Sequence, residues 1–363
     1  MATPKHNLRI FVGPVEIASI VGLLANALRS QNIRVTAVTT RTSPFFDGMK
    51  YDRVLNFQGN ILQRIFRHLY YFLKFFFQHD VFIFLFGATL LPYNLDLPFL
   101  KLFRKKTVMW FLGSDIRHYE SVQATIEKLG IKYRQSEDMR ESPDRVEQKK
   151  AMIRKIEKYV DYIICGPSNA QLLTRDYLGR DMESRIYLPL DVENIRYNNI
   201  PNEKPVLMHC PSKRAFKGTS YVLQTVEQLK NKGYVFEFRL FENTSNVAVR
   251  ETLTQADIAI DQLLAAGPGM FATEAMAAGC AVLGGNIPEI SGYPRELPII
   301  HTDPDNLYGN LKMLLENPEL RRELGEKGRK YVEKYHDSRK IADDILRLLS
   351  GNTESLISYD PKG

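Results

Sequence analysis

Cysteine and tryptophan are scarce in this sequence, and long apolar runs are missing from it. The three cysteines, Cys165, Cys210 and Cys280, are odd in number, widely spaced and set among apolar residues. They predict reduced core thiols rather than a disulfide framework or a zinc site. No run of about 18 uncharged apolar residues occurs, so we expect no transmembrane helix. The first residues lead into a predicted strand without the apolar core of a signal peptide. These absences favour a cytoplasmic protein.

Acidic residues are under-represented in the first part of the chain. Residues 1–165 carry 25 Lys or Arg and 15 Asp or Glu, whereas residues 166–363 carry 24 and 27, so the net charge of +7 divides into +10 and −3. This asymmetry indicates an anionic partner for the first part: an anionic substrate, a nucleic acid, or an anionic membrane surface, with peripheral attachment to the inner face of a membrane. The chain has neither an aromatic-basic RNA motif nor a helix-turn-helix pattern, so we expect no nucleic-acid partner.

The rest of the composition is that of a folded protein with two domains. With 363 residues, 44% of them hydrophobic, the chain can form two α/β domains with separate cores. Prolines and paired asparagines after the first half predict an inter-domain linker. The predicted segments are the first domain (1–165), the linker (166–202), the second domain (203–335), a helix at about 336–350 that can pack back on the first domain, and a frayed tail (351–363).

Alternating apolar patterns at the start of the chain predict a parallel sheet. A buried strand over 8–12, a helix over 17–29 and a strand over 33–39 form a β-α-β unit. Gly13 follows the first strand, at the carboxyl edge where open α/β sheets bind ligands. The loop lacks Gly-x-Gly-x-x-Gly, so we predict no dinucleotide site there.

Residues 60–78 predict an amphipathic helix. Arg64, Arg67 and Lys74 are spread among many leucine, isoleucine and phenylalanine residues at helical spacing. We favour a core helix that covers one face of the sheet, and the alternative is a basic helix that lies in a membrane interface. A capped helix is also predicted over 169–177.

A glycine-opened helix in the second half predicts a phosphate site. Residues 256–283 follow the order strand, loop, helix, strand, with the strand at 258–263, Gly267-Pro268-Gly269 in the loop and the helix over 271–278. Backbone N–H groups and the dipole at the start of such a helix favour a phosphate. Glu274 lies one turn inside, where its carboxylate can accept two hydrogen bonds from a ribose diol. The alternative is a buried or capping glutamate with a structural role.

Three cations follow a strand at the same predicted sheet edge. The strand over 206–210 leads into Pro211-Ser-Lys-Arg-Ala-Phe-Lys-Gly218, which contains Lys213, Arg214 and Lys217. The arginine fork and the lysine point charges can pair with a diphosphate. Diphosphate and ribose together indicate a nucleotide. The alternative is an exposed basic turn.

A further polar cluster, Gly113-Ser114-Asp115-Ile116-Arg117, comes directly after the predicted strand over 107–112. Such a cluster at a strand end more often faces a cleft than a core, and the alternative is a solvated turn with an Asp-Arg pair. The charged stretch 120–158 predicts a long, solvated helical face, to which we assign no catalytic or binding role. Asp303-Pro304-Asp305 is typical of a cap and turn before a helix, so we assign no metal site to it.

Four segments of the chain resemble the retaining GT-B glycosyltransferases of the large family-four, or group 1, type. The resemblance extends over nearly the whole chain and implies an α/β fold of two Rossmann-like domains whose parallel sheets face an inter-domain cleft. The nucleotide of the sugar donor would bind the second domain and the acceptor the first. The matching segments are Val108-Met-Trp-Phe-Leu-Gly-Ser-Asp-Ile-Arg117, Tyr187-Leu-Pro-Leu-Asp191, Pro211-Ser-Lys-Arg-Ala-Phe-Lys-Gly-Thr219 and Thr273-Glu-Ala-Met-Ala-Ala-Gly279.

The resemblance also implies roles for individual residues. Arg214 and Lys217 would contact the diphosphate and Glu274 the ribose, and the candidate catalytic residues are Asp115, Arg214 and Lys217. The candidate donor-binding residues are Gly13, Lys213, Arg214, Lys217, Gly267, Pro268, Gly269, Met270, Phe271 and Glu274. The candidate residues on the acceptor side are Gly113, Ser114, Asp115, Arg117 and His118.

Two positions depart from the pattern of this family. Relatives usually carry Glu-x7-Glu, but Ala266 stands eight residues before Glu274. Their His-Gly-Ser-Asp motif has Leu112 here in place of the histidine. Asp115 and His118 are the candidates to take over from that histidine.

The expected reaction moves a sugar from a nucleoside diphosphate to a hydroxyl of a glycan, lipid or other acceptor, with retention of the anomeric configuration, as in a hexosyltransferase. Fixed cations and helix-end amides would stabilise the leaving diphosphate, so we expect no divalent metal and no cofactor besides the nucleotide-sugar co-substrate. Two alternatives stay open. One is a non-catalytic GT-B scaffold or partner subunit that binds nucleotide, and the other is a nucleotide-sugar epimerase, which would need further catalytic carboxylates and histidines.

Overall fold

The computed structural model describes residues 8–42, 49–167 and 184–352. The predicted helix over 169–177 and residues 353–363 of the predicted tail lie outside these ranges. The described strands are β1 (Arg9–Gly13), β2 (Arg34–Thr39), β3 (Arg53–Val54), β4 (Val81–Leu85), β5 (Lys106–Phe111), β6 (Tyr162–Cys165), β7 (Ser184–Arg185), β8 (Val206–His209), β9 (Glu237–Leu240), β10 (Ile258–Ile260), β11 (Ala281–Gly284) and β12 (Ile299–His301).

Helices separate most of these strands, as the predicted β-α-β pattern requires. The described helices are α1 (Ile20–Ser30), α2 (Ile61–Gln78), α3 (Leu97–Leu102), α4 (Tyr119–Leu129), α5 (Pro143–Tyr159), α6 (Arg214–Lys217), α7 (Thr219–Asn231), α8 (Asn246–Leu253), α9 (Met270–Ala278), α10 (Pro288–Ser291), α11 (Leu307–Glu316), α12 (Pro318–Tyr335) and α13 (Ser338–Leu349).

The chain folds as two compact units. Helix α13 returns to unit 1 and packs against α1, and Lys106 Nζ of β5 donates to Leu349 O at the end of α13 at 2.6 Å. The domain boundaries that we expect from the sequence, at residues 165 and 203, stay a prediction. Nothing in the composition of the linker indicates that residues 122–140 belong with unit 2. Unit 1 comprises Met1–Ser121, Glu141–Pro189 and Ser338–Gly363, and unit 2 comprises Val122–Arg140 and Leu190–Asp337.

Unit 1 is built on a parallel sheet with an aromatic core. The order of its described strands is β3-β2-β1-β4-β5-β6-β7, and every neighbouring pair is parallel. Strand β4 is buried at every position, as expected for a parallel strand that is covered on both faces. The ring of Phe82 lies 5.6 Å from that of Phe11 and 5.8 Å from that of Phe84. These contacts fix the strand positions from whose ends the loops of unit 1 emerge.

Unit 2 is built on a second parallel sheet, with the described order β12-β11-β10-β8-β9. Its core is mostly aliphatic and includes Leu207, Ile258 and Leu283 from the strands, with Val222 from α7 and Leu311 from α11. Each of these side chains is fully buried. The two parallel sheets with flanking helices confirm the predicted α/β fold of two Rossmann-like domains.

Helix α2 differs from the expected core helix. Phe72, Phe75 and Phe76 are buried, but Leu62 and Phe66 are 74% and 69% exposed. The core-helix interpretation is therefore wrong for most of the apolar stripe, because only the side with the three phenylalanines reaches the core of unit 1. Among the described residues, no helix combines the length and the apolar character that crossing a membrane requires.

The charged stretch 120–158 is not one solvated helical face. Helix α4 ends at Leu129 and α5 begins only at Pro143. Helix α5 buries Val146, Ile153 and Ile156 together with Lys149, whose ammonium donates to Arg117 O at 2.8 Å and pairs with Glu141. The prediction failed because three apolar residues at helical spacing are enough to bury one side of a highly charged helix.

Two smaller predictions are confirmed in part. All three cysteines are free thiols, and Cys165 and Cys280 are buried, but Cys210 is only half-buried. Asp303 forms the expected turn, because its Oδ1 accepts hydrogen bonds from the amides of Asp305 at 2.8 Å and Asn306 at 3.0 Å.

Candidate active site

The candidate site of unit 2 lies at the carboxyl edge of its sheet, where β8 and β10 are neighbours. The chain continues from β8 to β9 on one side and from β10 to β11 on the other. Such a change of direction opens a crevice in which α/β sheets bind ligands. The loop with the three cations follows β8, and the segment after β10 leads to the glycine loop.

The loop after β8 holds exposed and buried cations. Lys213 is exposed, and Arg214 forms a bidentate pair with Glu242, with an Nε–Oε1 distance of 2.7 Å. Lys217 is buried. Gly218 follows it with a φ of 72°, and a Cβ there would lie 3.1 Å from Cβ of Leu263. The turn that directs Lys217 inward therefore favours glycine.

Asp261 connects the cation loop to the glycine loop. Its Oδ1 pairs with Nζ of Lys217, and its Oδ2 accepts the amide N–H of Gly269 at 2.7 Å. A Cβ on Gly269 would lie 3.1 Å from Nζ of Lys217 and 3.1 Å from Oε1 of Gln262. The absence of a side chain at Gly269 therefore lets the ammonium approach the start of α9.

Helix α9 carries the predicted ribose ligand. It begins after Gly269 without a side-chain cap, so its first N–H groups include donors that no side chain of the cap satisfies. Glu274 is buried, and its Oε1 accepts from Asn246 Nδ2 at 2.9 Å and Arg250 Nε at 3.0 Å. Among the described residues, no side chain or amide donates to Oε2 of Glu274. One oxygen is thus held in place and the other is available to a ligand.

A short segment after β9 joins the two sides of this site. Glu242 pairs with Arg214, and Asn246, four residues later, donates to Glu274. Four residues span at most about 14 Å. Arg214 and Glu274 are therefore held by neighbouring positions on one face of unit 2.

Two titratable groups at the end of β8 are uncharged at neutral pH. His209 lies 2.7 Å from Ile260 O and 3.0 Å from Thr219 Oγ1, and burial lowers its pKa to about 4. Burial raises the pKa of the Cys210 thiol to about 11, so neither group carries a charge to the site. The charges of Lys217, Glu274, Asp261 and Glu242 also influence the pKa of Cys210, but less than burial does.

The candidate acceptor loop of unit 1 is organised by Asp115. The buried carboxylate accepts from the amides of Gly113 at 2.6 Å and Leu112 at 3.1 Å, and burial raises its pKa to about 6. A solvated turn is therefore the wrong alternative here. His118 lies 2.9 Å from Ser121 Oγ and 3.1 Å from Glu120 Oε2, while Ser114 is exposed.

Gly13 belongs to unit 1, whereas the other donor-binding candidates belong to unit 2. Its φ is 144°, and a Cβ there would lie 2.2 Å from Val38 O, so the close approach of β1 and β2 requires glycine. Glu16, three residues after Gly13, is buried, and its carboxylate accepts a hydrogen bond from Tyr51 Oη at 2.7 Å. Burial raises the pKa of Glu16 to about 7.

The structure brings most donor-binding candidates of unit 2 together. Gly267 O accepts from Gln262 Nε2 at 2.6 Å, Pro268 continues the loop, and Met270 and Phe271 open α9. The residues of this candidate site that sequence reasoning missed are Asp261, Gln262, Glu242 and Asn246. Asp261 and Gln262 could have been found, because they follow β10 directly, but the predicted strand extends to residue 263 and hides them. Within the described ranges, no group of three or more His, Cys, Asp or Glu side chains could hold a metal ion.

Known proteins share this architecture. Residues 243–347 match the family described as "Glycosyl transferase-like", and no curated protein sequence matches the chain. The chain is similar to sucrose-phosphate synthase from Thermosynechococcus elongatus, with a TM-score of 0.66 and 14% identity over 94% of this chain and 98% of that one. It is also similar to an alpha-glucosyltransferase solved with UDP-glucose and DNA containing an abasic site, with a TM-score of 0.58 and 12% identity over 94% and 99%.

A third match covers a smaller share of the solved chain. A variant of S. aureus TarM in complex with Fondaparinux, alpha-GlcNAc-glycerol and UDP has a TM-score of 0.55 and 12% identity, over 80% of this chain and 58% of TarM. At such low identities the likeness shows the fold, which is GT-B. The chain therefore has the GT-B fold, and residues 243–347 within it match a glycosyl transferase-like family.

Proposed function

We propose that this protein is a retaining, metal-independent hexosyltransferase that moves a sugar from a nucleoside diphosphate to a hydroxyl of a glycan, lipid or other acceptor. The observation that carries the proposal is the position of Asp261, which holds the Lys217 ammonium beside the N–H of Gly269. A cation and an uncapped helix start then converge on one point. Both favour a diphosphate.

The leaving diphosphate would be stabilised by groups that are already in place. Lys217 and the first N–H groups of α9 would contact it from the sheet edge, and the exposed Arg214 would exchange Glu242 for phosphate oxygens. The bond between the anomeric carbon and the diphosphate oxygen breaks, and a bond to the acceptor oxygen forms on the same face. The acceptor proton passes to the departing phosphate. Fixed donors lower the barrier because they need no reorganisation as charge develops.

Glu274 would orient the nucleotide through its ribose. Oε1 is held by Asn246 and Arg250, which leaves Oε2 to accept a ribose hydroxyl. In this role Oε2 accepts the hydrogen bond, so the ribose hydroxyls would act as the donors.

The test is a panel of nucleoside diphosphate sugars incubated with glycan and lipid acceptors, with released nucleoside diphosphate as the signal. UDP sugars come first, because the similar alpha-glucosyltransferase and TarM structures hold UDP-glucose or UDP. DNA is included among the tested acceptors because one of these structures contains it. We expect no transfer to DNA. Transfer that depends on an acceptor and persists in chelator supports the proposal. Turnover only with added metal contradicts it.

A nucleotide-binding scaffold without turnover is the second candidate. The observation that favours it is the absence of two polar side chains, at Ala266 and Leu112, where the resembling family carries Glu and His. Binding of UDP without release from any UDP sugar would support the scaffold. Interconversion of donor sugars without an acceptor would instead support an epimerase.

A further inference from the structure

Helices α2 and α3 expose an apolar surface in unit 1. On α2, the side chains of Leu62, Phe66, Leu69, Leu73 and Phe77 are exposed and recur every three or four residues, so they share one side of the helix. On and directly after α3, Phe99, Leu102 and Phe103 are also exposed. We call these eight residues the α2–α3 surface.

The two parts of the α2–α3 surface are continuous. The ring of Phe99 lies 6.2 Å from that of Phe72, and the ring of Phe103 lies 5.2 Å from that of Phe76. Phe72 and Phe76 are buried between the helices. The exposed residues of α2 and α3 therefore form one patch over a shared base, and exposed apolar patches of this kind mark interaction sites.

The two segments that carry this patch have charge of one sign. Residues 61–78 and 97–106 contain seven lysines and arginines and no aspartate or glutamate. Lys105 Nζ lies 5.2 Å from the Phe76 ring, and Lys74 Nζ lies 5.9 Å from the Tyr70 ring. Long cationic side chains that lie along apolar rings keep their charged ends at the edge of a patch.

We propose that the α2–α3 surface docks on an anionic lipid bilayer, with α2 lying in the plane of the interface. Apolar side chains on one side, cations beside them and a helix that is too polar to span the bilayer are the features of an interfacial helix. The exposed cations Arg64 and Arg104 of these two segments complement anionic headgroups. A second copy of the chain fits this surface poorly, because two such patches would bring like charges together.

The test is sedimentation of the full chain with vesicles of phosphatidylcholine alone or mixed equally with phosphatidylglycerol. We expect binding to the mixed vesicles that falls as salt is raised. Replacing the exposed pair Phe66→Gln and Phe77→Gln should weaken binding about tenfold or more, because two apolar side chains no longer enter the bilayer. Arg64→Gln and Arg104→Gln should each weaken it roughly fivefold.

Ile200→Gln is the matched control, since Ile200 is 78% exposed but lies in unit 2, and it should bind vesicles like the unaltered chain. Thermal unfolding of every variant checks that the fold is kept. The proposal would be overturned by equal binding to both vesicle types or by no binding to either. It would also be overturned if the phenylalanine variant still bound vesicles normally but lost self-association. Transfer to a soluble acceptor is measured in parallel, so a failure of docking is distinguishable from a failure of the proposed activity.

Discussion

Lys217 and Asp261 form an ion pair in which both side chains are almost completely buried. Moving two charges out of water is unfavourable, and the pair is stable only because each charge neutralises the other and finds further hydrogen bonds. Asp261 has such a bond from Gly269. The pair therefore stabilises the same geometry that the proposed diphosphate site needs.

A double-mutant cycle tests this coupling. We expect Lys217→Met and Asp261→Asn each to lower the free energy of unfolding by about 3–5 kcal/mol, because each leaves a buried partner unpaired. The double substitution should cost less than the sum of the two, since no uncompensated charge remains. Calorimetric unfolding of the four proteins measures this, and strictly additive losses would show that the pair is not coupled.

The exposed Arg214 tests the proposed role of the cations in catalysis. Arg214→Gln should reduce kcat about 10²-fold, because one fixed donor to the leaving group is lost. Arg322→Gln is the matched control: Arg322 is similarly exposed, at 51% against 58%, and also pairs with a glutamate. Steady-state kinetics with a UDP sugar compares them, and equal rates for both variants would remove Arg214 from the mechanism.

For individual residues of the site, the sequence predicts the residue types better than the contacts that these residues make. Lys217 and Glu274 could be selected because a cation after a strand and a carboxylate one turn into a glycine-opened helix both suit a nucleotide. Their contacts with Asp261 and Asn246 could not be selected, because these residues are distant in sequence. Only the packing of β8 against β10 and of α8 against α9 brings them together.

The start of α9 tests the role of an element rather than a side chain. Gly269 has a φ of −95°, so alanine fits the backbone, but its Cβ would crowd Nζ of Lys217. Gly269→Ala should therefore lower kcat/KM for the donor by about 10- to 100-fold with little change in stability. Gly309→Ala, whose Cβ would meet nothing within 4 Å, should leave kcat/KM unchanged. An unchanged value for Gly269→Ala would contradict the close approach.

The start of α1 predicts a pH dependence of stability. Glu16 accepts from the amides of Val21 and Gly22 at 3.2 Å, and burial raises its folded-state pKa from 4.5 to about 7. The folded state thus binds a proton that the unfolded state releases between these values. Its contribution to stability is full below about pH 4.5 and is lost as the pH rises through about 7.

Glu16→Gln should remove this loss, which is on the order of 3 kcal/mol. The urea midpoint of unit 1 can be followed at pH 5 and pH 8 through Trp110, the sole tryptophan, which is buried in β5. Asp144→Asn, an exposed carboxylate in the same unit, is the control and should keep the original slope. An unchanged slope in Glu16→Gln would contradict the prediction. Some slope remains in either case, because burial also raises the pKa of Asp96 and Asp115 to about 6.

Elements were predictable where local pattern and tertiary burial agree. Strands β1 and β8 each contain a continuous apolar run, so both were expected near their observed bounds. Helix α2 has the same apolar character as a core helix, and its sequence cannot show that Leu62 and Phe66 face outward. Whether a helix face is buried depends on which surfaces the rest of the fold covers. Hydrophobic periodicity carries no information about that.

For the whole molecule, charge and fold class were the most predictable features. The excess of cations in the first part of the chain indicated an anionic partner, and in unit 1 seven of those cations belong to the two segments that form the α2–α3 surface. The parallel order of both sheets followed from β-α-β connectivity. The assignment of residues 122–140 to unit 2 and of α13 to unit 1 depends on long-range contacts that no local pattern encodes.

The central claim is that two distant segments of unit 2 bind one nucleoside diphosphate. Hydrogen-deuterium exchange of the full chain with and without UDP tests it most directly, because each segment has its own backbone amides. We predict that UDP slows exchange in both 213–218 and 269–274 over the same range of concentration. Protection of only one of these segments, or of neither while UDP binds elsewhere, would contradict the account.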